Sequence, residues 1–222
     1  MQINSTVHTT CAYCGVGCGI KATVENTDKR IVSIQGDTEH PANYGRLCSK
    51  GSSLGETISL EGRLLEPHIA GQNVSWPTAI DKVANEFKRI IAEHGKESVA
   101  FYVSGQILTE DYYVANKLMK GYIGTANIDT NSRLCMSSAV AGHKRAFGAD
   151  TVPANYDDFD HANLIVLVGS NTAWCHPIIF QRIKAIKAQR PELRIVVVDP
   201  RETATNEIAD LHLPIKAGMD VL

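Results

Sequence analysis

Four cysteines near the start of the sequence have the number and spacing expected of iron–sulfur ligands. Cys11, Cys14 and Cys18 are separated by two and three residues, and Cys48 lies 30 residues beyond Cys18. A [4Fe–4S] cluster is bound by four thiolates. The glycines interleaved with the first three cysteines lack a Cβ atom, which lets the loop curl tightly around such a cluster.

Zinc binding and disulfide bonding are the two alternatives for these cysteines. Zinc commonly takes two Cys-x2-Cys pairs, and Cys48 has no such neighbour. Disulfides belong to oxidising compartments, whereas residues 1–6 contain neither the basic region nor the apolar core of a secretory signal. We therefore expect a cytoplasmic chain with reduced thiols, and we favour the cluster over zinc.

Two further side chains could take part in redox chemistry beside such a cluster. Lys50 comes two residues after Cys48 and is either an ordinary solvated lysine or a cation between the cluster and a second redox centre. Cys135 precedes small polar residues and a predicted helix, so its thiolate would lie near a helix N-terminus, where a soft metal could bind it. An isolated cysteine is otherwise a small buried hydrophobe.

Polar residues also follow two predicted strands in the second half of the chain. Gly169, Ser170 and Asn171 lie between a strand and a helix, where open α/β sheets bind phosphates and where ordinary turns also occur. Asp199 ends the next strand, where a carboxylate can accept hydrogen bonds from a ribose or a base. The sequence contains no Gly-x-Gly-x-x-Gly, so we expect no NAD site.

The composition is that of a globular protein without a nucleic-acid or membrane partner. Hydrophobic residues make up 44% of the 222 residues, and the net charge is −2. A charge so close to neutral gives no attraction to nucleic acid or to an anionic membrane. No apolar run approaches the roughly 18 residues that a membrane-spanning helix needs.

The four cysteines must be positioned by residues 1–60, which predict a small β-rich 4Fe-4S domain. Alternating runs predict strands over 19–24 and 30–34. This segment has too little apolar material for a large core, so we expect the bound cluster to help stabilise it.

Residues 61–222 predict a Rossmann-like α/β domain. The predicted helices cover residues 80–91, 110–123, 137–147 and 177–188, and the predicted strands cover residues 98–103, 164–168 and 194–198. The last two strands are continuous apolar runs, which are typical of parallel strands buried on both faces. Strand, helix and strand in that order predict a crossover α/β unit.

Several motifs resemble those of molybdopterin-dependent oxidoreductases, a family that includes formate dehydrogenases and bacterial nitrate reductases. They are CAYCGVGCG (Cys11 to Gly19), Cys48-Ser49-Lys50-Gly51, NSRLCMSSAV (Asn131 to Val140), Gly169-Ser170-Asn171 and Val198-Asp199-Pro200-Arg201. The resemblance runs the length of the chain and is greatest to the catalytic subunit of assimilatory nitrate reductases.

The resemblance implies a role for each motif. Cys135 matches the thiolate that ligates molybdenum, and Lys50 matches the lysine that lies between the cluster and the pterin. The turn at residues 169–171 matches one that binds one of two molybdopterin guanine dinucleotides, and Asp199 matches an acid near that nucleotide.

The reaction implied by the resemblance is reduction of nitrate to nitrite at a molybdenum bis(molybdopterin guanine dinucleotide) centre. Electrons would arrive from the 4Fe-4S cluster, which would receive them from a donor protein or a reductase subunit. Formate oxidation is one alternative, but in formate dehydrogenases a histidine typically follows the metal-binding residue, whereas Met136 follows Cys135 here. The other alternative is a non-catalytic iron–sulfur electron-transfer subunit. The intact motif around Cys135 disfavours this alternative.

The sequence departs from the family in two respects. Where members commonly have Pro-Gly-Thr-Asp, this chain has Ala217-Gly218-Met219-Asp220, so Asp220 is retained as a cofactor-binding candidate without the proline that shapes the turn. Members are also considerably longer. We therefore expect a truncated pterin-binding domain and a 222-residue chain that is inactive by itself.

Overall fold

The computed structural model describes residues 4–27 and 29–219, which form short sheets and helices. The strands are β1 (Asn4–Thr10), β2 (Gly19–Glu25), β3 (Arg30–Gly36), β4 (His68–Ile69), β5 (Gln72–Asn73), β6 (Phe101–Val103), β7 (Ile128–Thr130), β8 (Leu164–Val168), β9 (Arg194–Val198) and β10 (Leu211–Leu213). The α-helices are α1 (Ser49–Ser52), α2 (Trp76–His94), α3 (Thr109–Asn116), α4 (Asn131–Phe147), α5 (Asp158–His161), α6 (Thr172–Cys175) and α7 (Pro177–Gln189).

The chain divides into two compact units. The first unit contains the residues up to 11, residues 18–55 and the residues from 151 onward; the second contains residues 12–17 and 56–150. The division at residue 60 that the sequence predicts stays a prediction. None of the described helices is long and apolar enough to cross a lipid bilayer.

The first unit begins with an antiparallel sheet in the order β1-β2-β3. β2 and β3 confirm the two strands predicted from alternation, with Ile20 and Ala22 of β2 buried. β1 pairs with β2 from Asn4 opposite Glu25 to Thr10 opposite Gly19. This strand was not predicted, because its largely polar and exposed residues carry no hydrophobic alternation.

The first unit also contains a parallel sheet in the order β10-β9-β8. Helix α7 joins β8 to β9 and packs Phe180, Ile183 and Ile186 against Ile165 and Ile195. The predicted strand–helix–strand unit is therefore confirmed, and with the antiparallel sheet it gives the predicted class, a small β-rich part and a Rossmann-like α/β part.

The prediction that β8 is buried on both faces is wrong. Leu164, Val166 and Val168 are 57%, 49% and 58% exposed, whereas Ile165 between them is buried against α7. Because neighbouring side chains of a strand point to opposite faces, the apolar run of β8 fills one face of the sheet and lies open on the other. An apolar run alone does not distinguish these two situations.

The second unit confirms the long predicted helix. Helix α2 begins where Ser75 Oγ accepts a hydrogen bond from the Thr78 N–H at 3.3 Å, with Pro77 in the first turn. This is a standard N-terminal arrangement, because the serine oxygen satisfies a backbone donor that the helix itself cannot.

Strand β6 is shorter than predicted and pairs in parallel with β7. The first predicted residue, Ser98, instead ends a 3₁₀ turn, Lys96–Ser98, and the strand begins only at Phe101. The helix predicted over residues 110–123 is present as α3 followed by a π-helical segment, Lys117–Ile123, which ends at Gly124 in the left-handed conformation.

Replacing a buried valine should destabilise the first unit more than replacing an exposed one in the same sheet. Val197→Ala removes two methyl groups from a fully buried side chain of β9, and we expect the free energy of unfolding to fall by about 2 kcal/mol. Val166→Ala, on the open face of the adjacent strand, should cost less than about 1 kcal/mol. Urea titration of the 222-residue chain measures both, and equal losses would contradict the assignment of faces.

Candidate functional site

The loop that carries the first three cysteines is closed at its base. The Cys11 N–H donates to the Cys18 carbonyl oxygen at 2.8 Å, and both cysteines are buried. Within the loop, Gly17 donates its N–H to the Cys14 carbonyl oxygen at 3.2 Å and has φ of 62°, a conformation that favours glycine. The predicted tight curl of this loop is therefore present in its backbone.

The chain returns to the base of this loop after β3. The Asp37 N–H donates to the Gly19 carbonyl oxygen at 2.9 Å, and the Gly45 N–H donates to the Asp37 carbonyl oxygen at 2.8 Å. A Cβ atom on Gly19 would lie 2.3 Å from the side chain of His40, so glycine is required there for the close approach of this segment. We call residues 37–48 the return segment.

The carboxylate of Asp37 fixes the start of the return segment. Its Oδ2 lies 2.8 Å from His8 Nδ1 and shares a hydrogen bond with it, and its Oδ1 accepts the Glu39 N–H at 3.0 Å. These two hydrogen bonds hold the pKa of Asp37 below its ordinary value of 3.8. The carboxylate therefore joins β1 to the return segment as an anion at neutral pH.

Asn43 lies at the centre of the return segment and is 1% exposed. Its amide oxygen accepts the Gly19 N–H at 2.8 Å, and its amide nitrogen donates to the carbonyl oxygens of Gly19 at 3.1 Å and Arg46 at 2.8 Å. Sequence reasoning did not single out Asn43, because an asparagine in a polar segment carries no signal of burial.

The return segment ends at Cys48, which precedes helix α1. The Cys48 carbonyl oxygen accepts the Ser52 N–H at 3.0 Å, so Cys48 caps this helix, and Lys50 lies exposed on it. From the other side, Gln181 of α7 donates its amide nitrogen to the Leu47 carbonyl oxygen at 3.1 Å. The residue before Cys48 is thereby tied to the helix that covers the parallel sheet.

The thiol groups are chemically suited to an iron–sulfur cluster. Cys11, Cys14, Cys18 and Cys48 are thiols that form no disulfide bond, and four thiols are the donor set of a [4Fe–4S] cluster. Within residues 4–27 and 29–219, no three His, Cys, Asp or Glu side chains lie close enough to share a single metal ion. In a [4Fe–4S] cluster each thiolate binds a different iron, so the ligands are separated by the cluster itself.

Cys135 lies in the second unit, exposed on helix α4. The helix begins at Asn131, earlier than predicted, but Met136 interrupts it with φ −124° and ψ 15°. Cys135 therefore precedes a break, and the segment after the break corresponds to the helix predicted over 137–147.

The backbone before Cys135 is held by contacts within the second unit. Asn131 Oδ1 accepts the Gly105 N–H at 2.5 Å, which links the start of α4 to the segment that follows β6. Arg133 forms an ion pair with Asp129 and donates a hydrogen bond to it. This hydrogen bond, together with one from the Thr130 N–H, lowers the pKa of Asp129. Cys135 thus follows a turn of helix that is fixed at both its first residue and its third.

The polar turns predicted to bind a nucleotide lie side by side in the first unit. Val168 of β8 pairs with Val198 of β9, so Gly169 and Asp199 follow the carboxyl ends of adjacent parallel strands. The Gly169 N–H donates to the Val198 carbonyl oxygen at 2.8 Å, and Asp199 Oδ1 accepts the Arg201 N–H at 2.9 Å. This edge is where open α/β sheets bind ligands.

Thr205 supports the turn at residues 169–171, and sequence reasoning missed it. It is fully buried; its Oγ1 accepts the Ala173 N–H at 3.1 Å and lies 3.4 Å from Asn171 Oδ1, to which it donates. Ser170 Oγ and Thr172 Oγ1 share a further hydrogen bond at 2.7 Å. Asp220, the last predicted cofactor residue, lies outside the described residues.

Two family models together match nearly the whole chain. A model described as the molybdopterin oxidoreductase Fe4S4 domain matches residues 4–60, and one described as molybdopterin oxidoreductase matches residues 63–221. The second match alone covers more than half of the 222 residues.

Curated relatives from several bacteria are similar over most of this chain. A nitrate reductase of Klebsiella oxytoca is 58% identical over 96% of the chain and 24% of its own length. One of Shewanella frigidimarina is 53% identical over 98% of the chain and 24% of its length, and a periplasmic nitrate reductase of Desulfovibrio desulfuricans is 44% identical over 95% of the chain and 28% of its length. The chain therefore spans about a quarter of the length of these relatives.

A solved structure shares the fold. Acetylene hydratase from Pelobacter acetylenicus matches with a TM-score of 0.76 and 25% identity, over 93% of this chain and 29% of that protein. Since that protein is named a hydratase, the fold by itself does not determine the reaction.

Removing the hydroxyl group of Thr205 should destabilise the first unit. Thr205→Val keeps the side-chain shape but leaves the Ala173 N–H without its acceptor, and we expect the free energy of unfolding to fall by about 1–3 kcal/mol. Thr151→Val makes the same substitution at an exposed position and serves as the control in urea titration. A loss at Thr205 no larger than that at Thr151 would refute the supporting role.

Proposed function

This chain belongs to the molybdopterin oxidoreductase family, and we propose that it supplies the cluster-binding and first pterin-binding regions of an enzyme that reduces nitrate to nitrite. The observation that carries this proposal is the run of relatives named nitrate reductases, which are 44–58% identical over 95–98% of the chain. The family models also confirm the predicted cofactors, an Fe4S4 cluster and molybdopterin.

Cys11, Cys14, Cys18 and Cys48 are our proposed ligands of the cluster. Two observations support them: the base of the loop is closed by the Cys11–Cys18 hydrogen bond, and the return segment brings the backbone leading to Cys48 against Gly19. Burial of Cys11 and Cys18 would shield the cluster from water, and solvent exposure is one of the factors that set a cluster's reduction potential.

Lys50 is our proposed cation on the electron path. It lies on helix α1, and the Cys48 carbonyl oxygen accepts the first hydrogen bond of that helix. Lys50 is therefore in the same helical turn as a proposed ligand. A positive charge at this position would stabilise the reduced state of a nearby redox centre. Its exposed side chain leaves the charge free to face a cofactor.

Cys135 is our proposed protein ligand of molybdenum. Its thiol is exposed, it lies at the break in α4, and the ion pair of Arg133 with Asp129 holds the preceding turn in place. When bound, the molybdenum centre would supply the two-electron chemistry that removes an oxygen atom from nitrate. The protein contributes ligation, positioning and electrostatics.

The adjacent turns after β8 and β9 are our proposed nucleotide site. Gly169, Ser170 and Asn171 offer backbone and hydroxyl groups for a pyrophosphate, and the second oxygen of the Asp199 carboxylate can accept hydrogen bonds from a ribose or a base. We propose that the cofactor is the bis(molybdopterin guanine dinucleotide) form and that a guanine dinucleotide binds at this edge.

The proposed enzyme takes electrons from a donor protein or reductase subunit. Its cytoplasmic location is proposed from the sequence, and one of the similar proteins is named a periplasmic nitrate reductase.

The cluster proposal predicts iron binding that depends on Cys48. Anaerobic reconstitution of the 222-residue chain with iron and sulfide should give about four iron atoms per chain. The purified chain should not retain stoichiometric molybdenum. Cys48→Ser should lower the iron content and the visible absorbance, whereas Cys175→Ser, which changes an exposed cysteine outside the proposed ligand set, should leave both unchanged. One zinc ion per chain, or equal iron in all three proteins, would contradict the assignment.

The nitrate proposal predicts nitrite formation that depends on Cys135. With reduced viologen as donor, the complete gene product should form nitrite from nitrate, and Cys135→Ala should lower the rate at least about a hundredfold, because loss of a metal ligand removes the reacting centre. Cys175→Ala is the matched control and should retain full activity. Formate oxidation without nitrite formation would assign the protein to the other branch of the family.

A further inference from the structure

We infer that Asn43 is a positioning residue for the iron–sulfur cluster, because it holds the backbone next to Cys18 and the backbone before Cys48 in one hydrogen-bond network. The inference rests on the proposed function in one respect, namely that these two cysteines are cluster ligands. It adds a residue that carries no thiol and belongs to none of the motifs that indicated the cluster.

The side chain of Asn43 makes a two-point contact with a single residue. Its amide oxygen accepts from the Gly19 N–H at 2.8 Å while its amide nitrogen donates to the Gly19 carbonyl oxygen at 3.1 Å. Two hydrogen bonds from one planar group fix both the position and the orientation of Gly19, which directly follows Cys18.

The second amide hydrogen reaches the other end of the network. The amide nitrogen of Asn43 also donates to the Arg46 carbonyl oxygen at 2.8 Å, two residues before Cys48. Both amide hydrogens are therefore used, as is one lone pair of the oxygen. A displacement of Asn43 would change the backbone positions both next to Cys18 and before Cys48.

The backbone of Asn43 is itself fixed. The Asn43 and Tyr44 N–H groups both donate to the His40 carbonyl oxygen, at 3.3 and 2.9 Å, and the Asn43 carbonyl oxygen accepts the Arg46 N–H at 2.9 Å. Tyr44 has φ of 44°, a left-handed conformation that this turn imposes on a residue that is not glycine. The amide group is thus held by a rigid turn rather than by a mobile loop.

The chemistry of the network requires an asparagine side chain. An aspartate could accept from Gly19 but could not donate, and its charge would face the carbonyl oxygens of Gly19 and Arg46. A glutamine has the same groups one methylene farther from the backbone. Because Asn43 is 1% exposed, water cannot readily replace a lost partner, and each unsatisfied group weakens the network.

The test compares Asn43→Asp and Asn43→Ala with Asn26→Ala in the full chain reconstituted with cluster. Asn26 is an exposed asparagine of the same unit, and its side chain accepts a hydrogen bond from Ser5 Oγ at 2.8 Å. The readouts are the EPR spectrum of the dithionite-reduced cluster and the rate at which an iron chelator removes the cluster. The EPR line shape reports ligand geometry, which a purely structural role of Asn43 would not change.

We expect both Asn43 variants to lose the cluster about tenfold faster than the wild type and to show a changed EPR line shape, because buried partners are left unsatisfied. Asn26→Ala should match the wild type in both respects. Superimposable EPR spectra together with chelation rates within about twofold of the wild type would overturn the inference.

A measurement on the wild type covers the case in which the variants fail to fold. Hydrogen exchange at the Gly19 N–H should be slowed relative to exposed amides of β1, since that donor is bonded to a buried acceptor. Exchange as fast as that of an exposed amide would overturn the inference without any variant. A wild-type chain that assembles no cluster would overturn the proposed ligands as well, whereas a normal cluster in Asn43→Asp would overturn only the role of Asn43.

Discussion

The structure of the N-terminal part depends on the return of the chain to Gly19. Closing a loop between distant residues carries an entropic cost that local contacts must offset. Three donors and acceptors converge on this one glycine: the Asp37 N–H and both ends of the Asn43 amide. Because of this contact, Cys18 and Cys48, which are 30 residues apart in sequence, are candidates to bind one cofactor.

The return segment is also joined to the parallel sheet, so the two parts of the first unit are not independent. Gln181 bonds the carbonyl oxygen of Leu47, and Arg182 on the same helix lies 5.9 Å over the ring of Tyr44. Helix α7 therefore has two roles: its apolar face covers β8 and β9, and its polar face contacts the segment before Cys48. A change in the packing of this helix would reach both the proposed cluster ligands and the proposed nucleotide edge.

The sequence predicted the elements that have a clear apolar pattern and missed those that do not. Helices α2 and α7 and strands β2 and β3 follow from apolar spacing, and β8 and β9 follow from continuous apolar runs. Strand β1 is polar and is recruited by pairing with β2. Thr205 and Asn43 could not be foreseen, because each acts through hydrogen bonds to backbone that is distant in sequence. The candidate residues came from residue type and motif, and only tertiary structure shows which polar groups hold them.

The open face of the parallel sheet has a consequence for handling the isolated chain. Register places Leu164, Val166 and Val168 on the same face as Leu211 and Leu213, with Val196 and Val198 between them. A contiguous apolar surface beside an edge strand promotes self-association of a protein in solution. Preparations of the 222-residue chain should therefore be sensitive to concentration and to salts that strengthen apolar contacts, and light scattering would detect this before any loss of secondary structure.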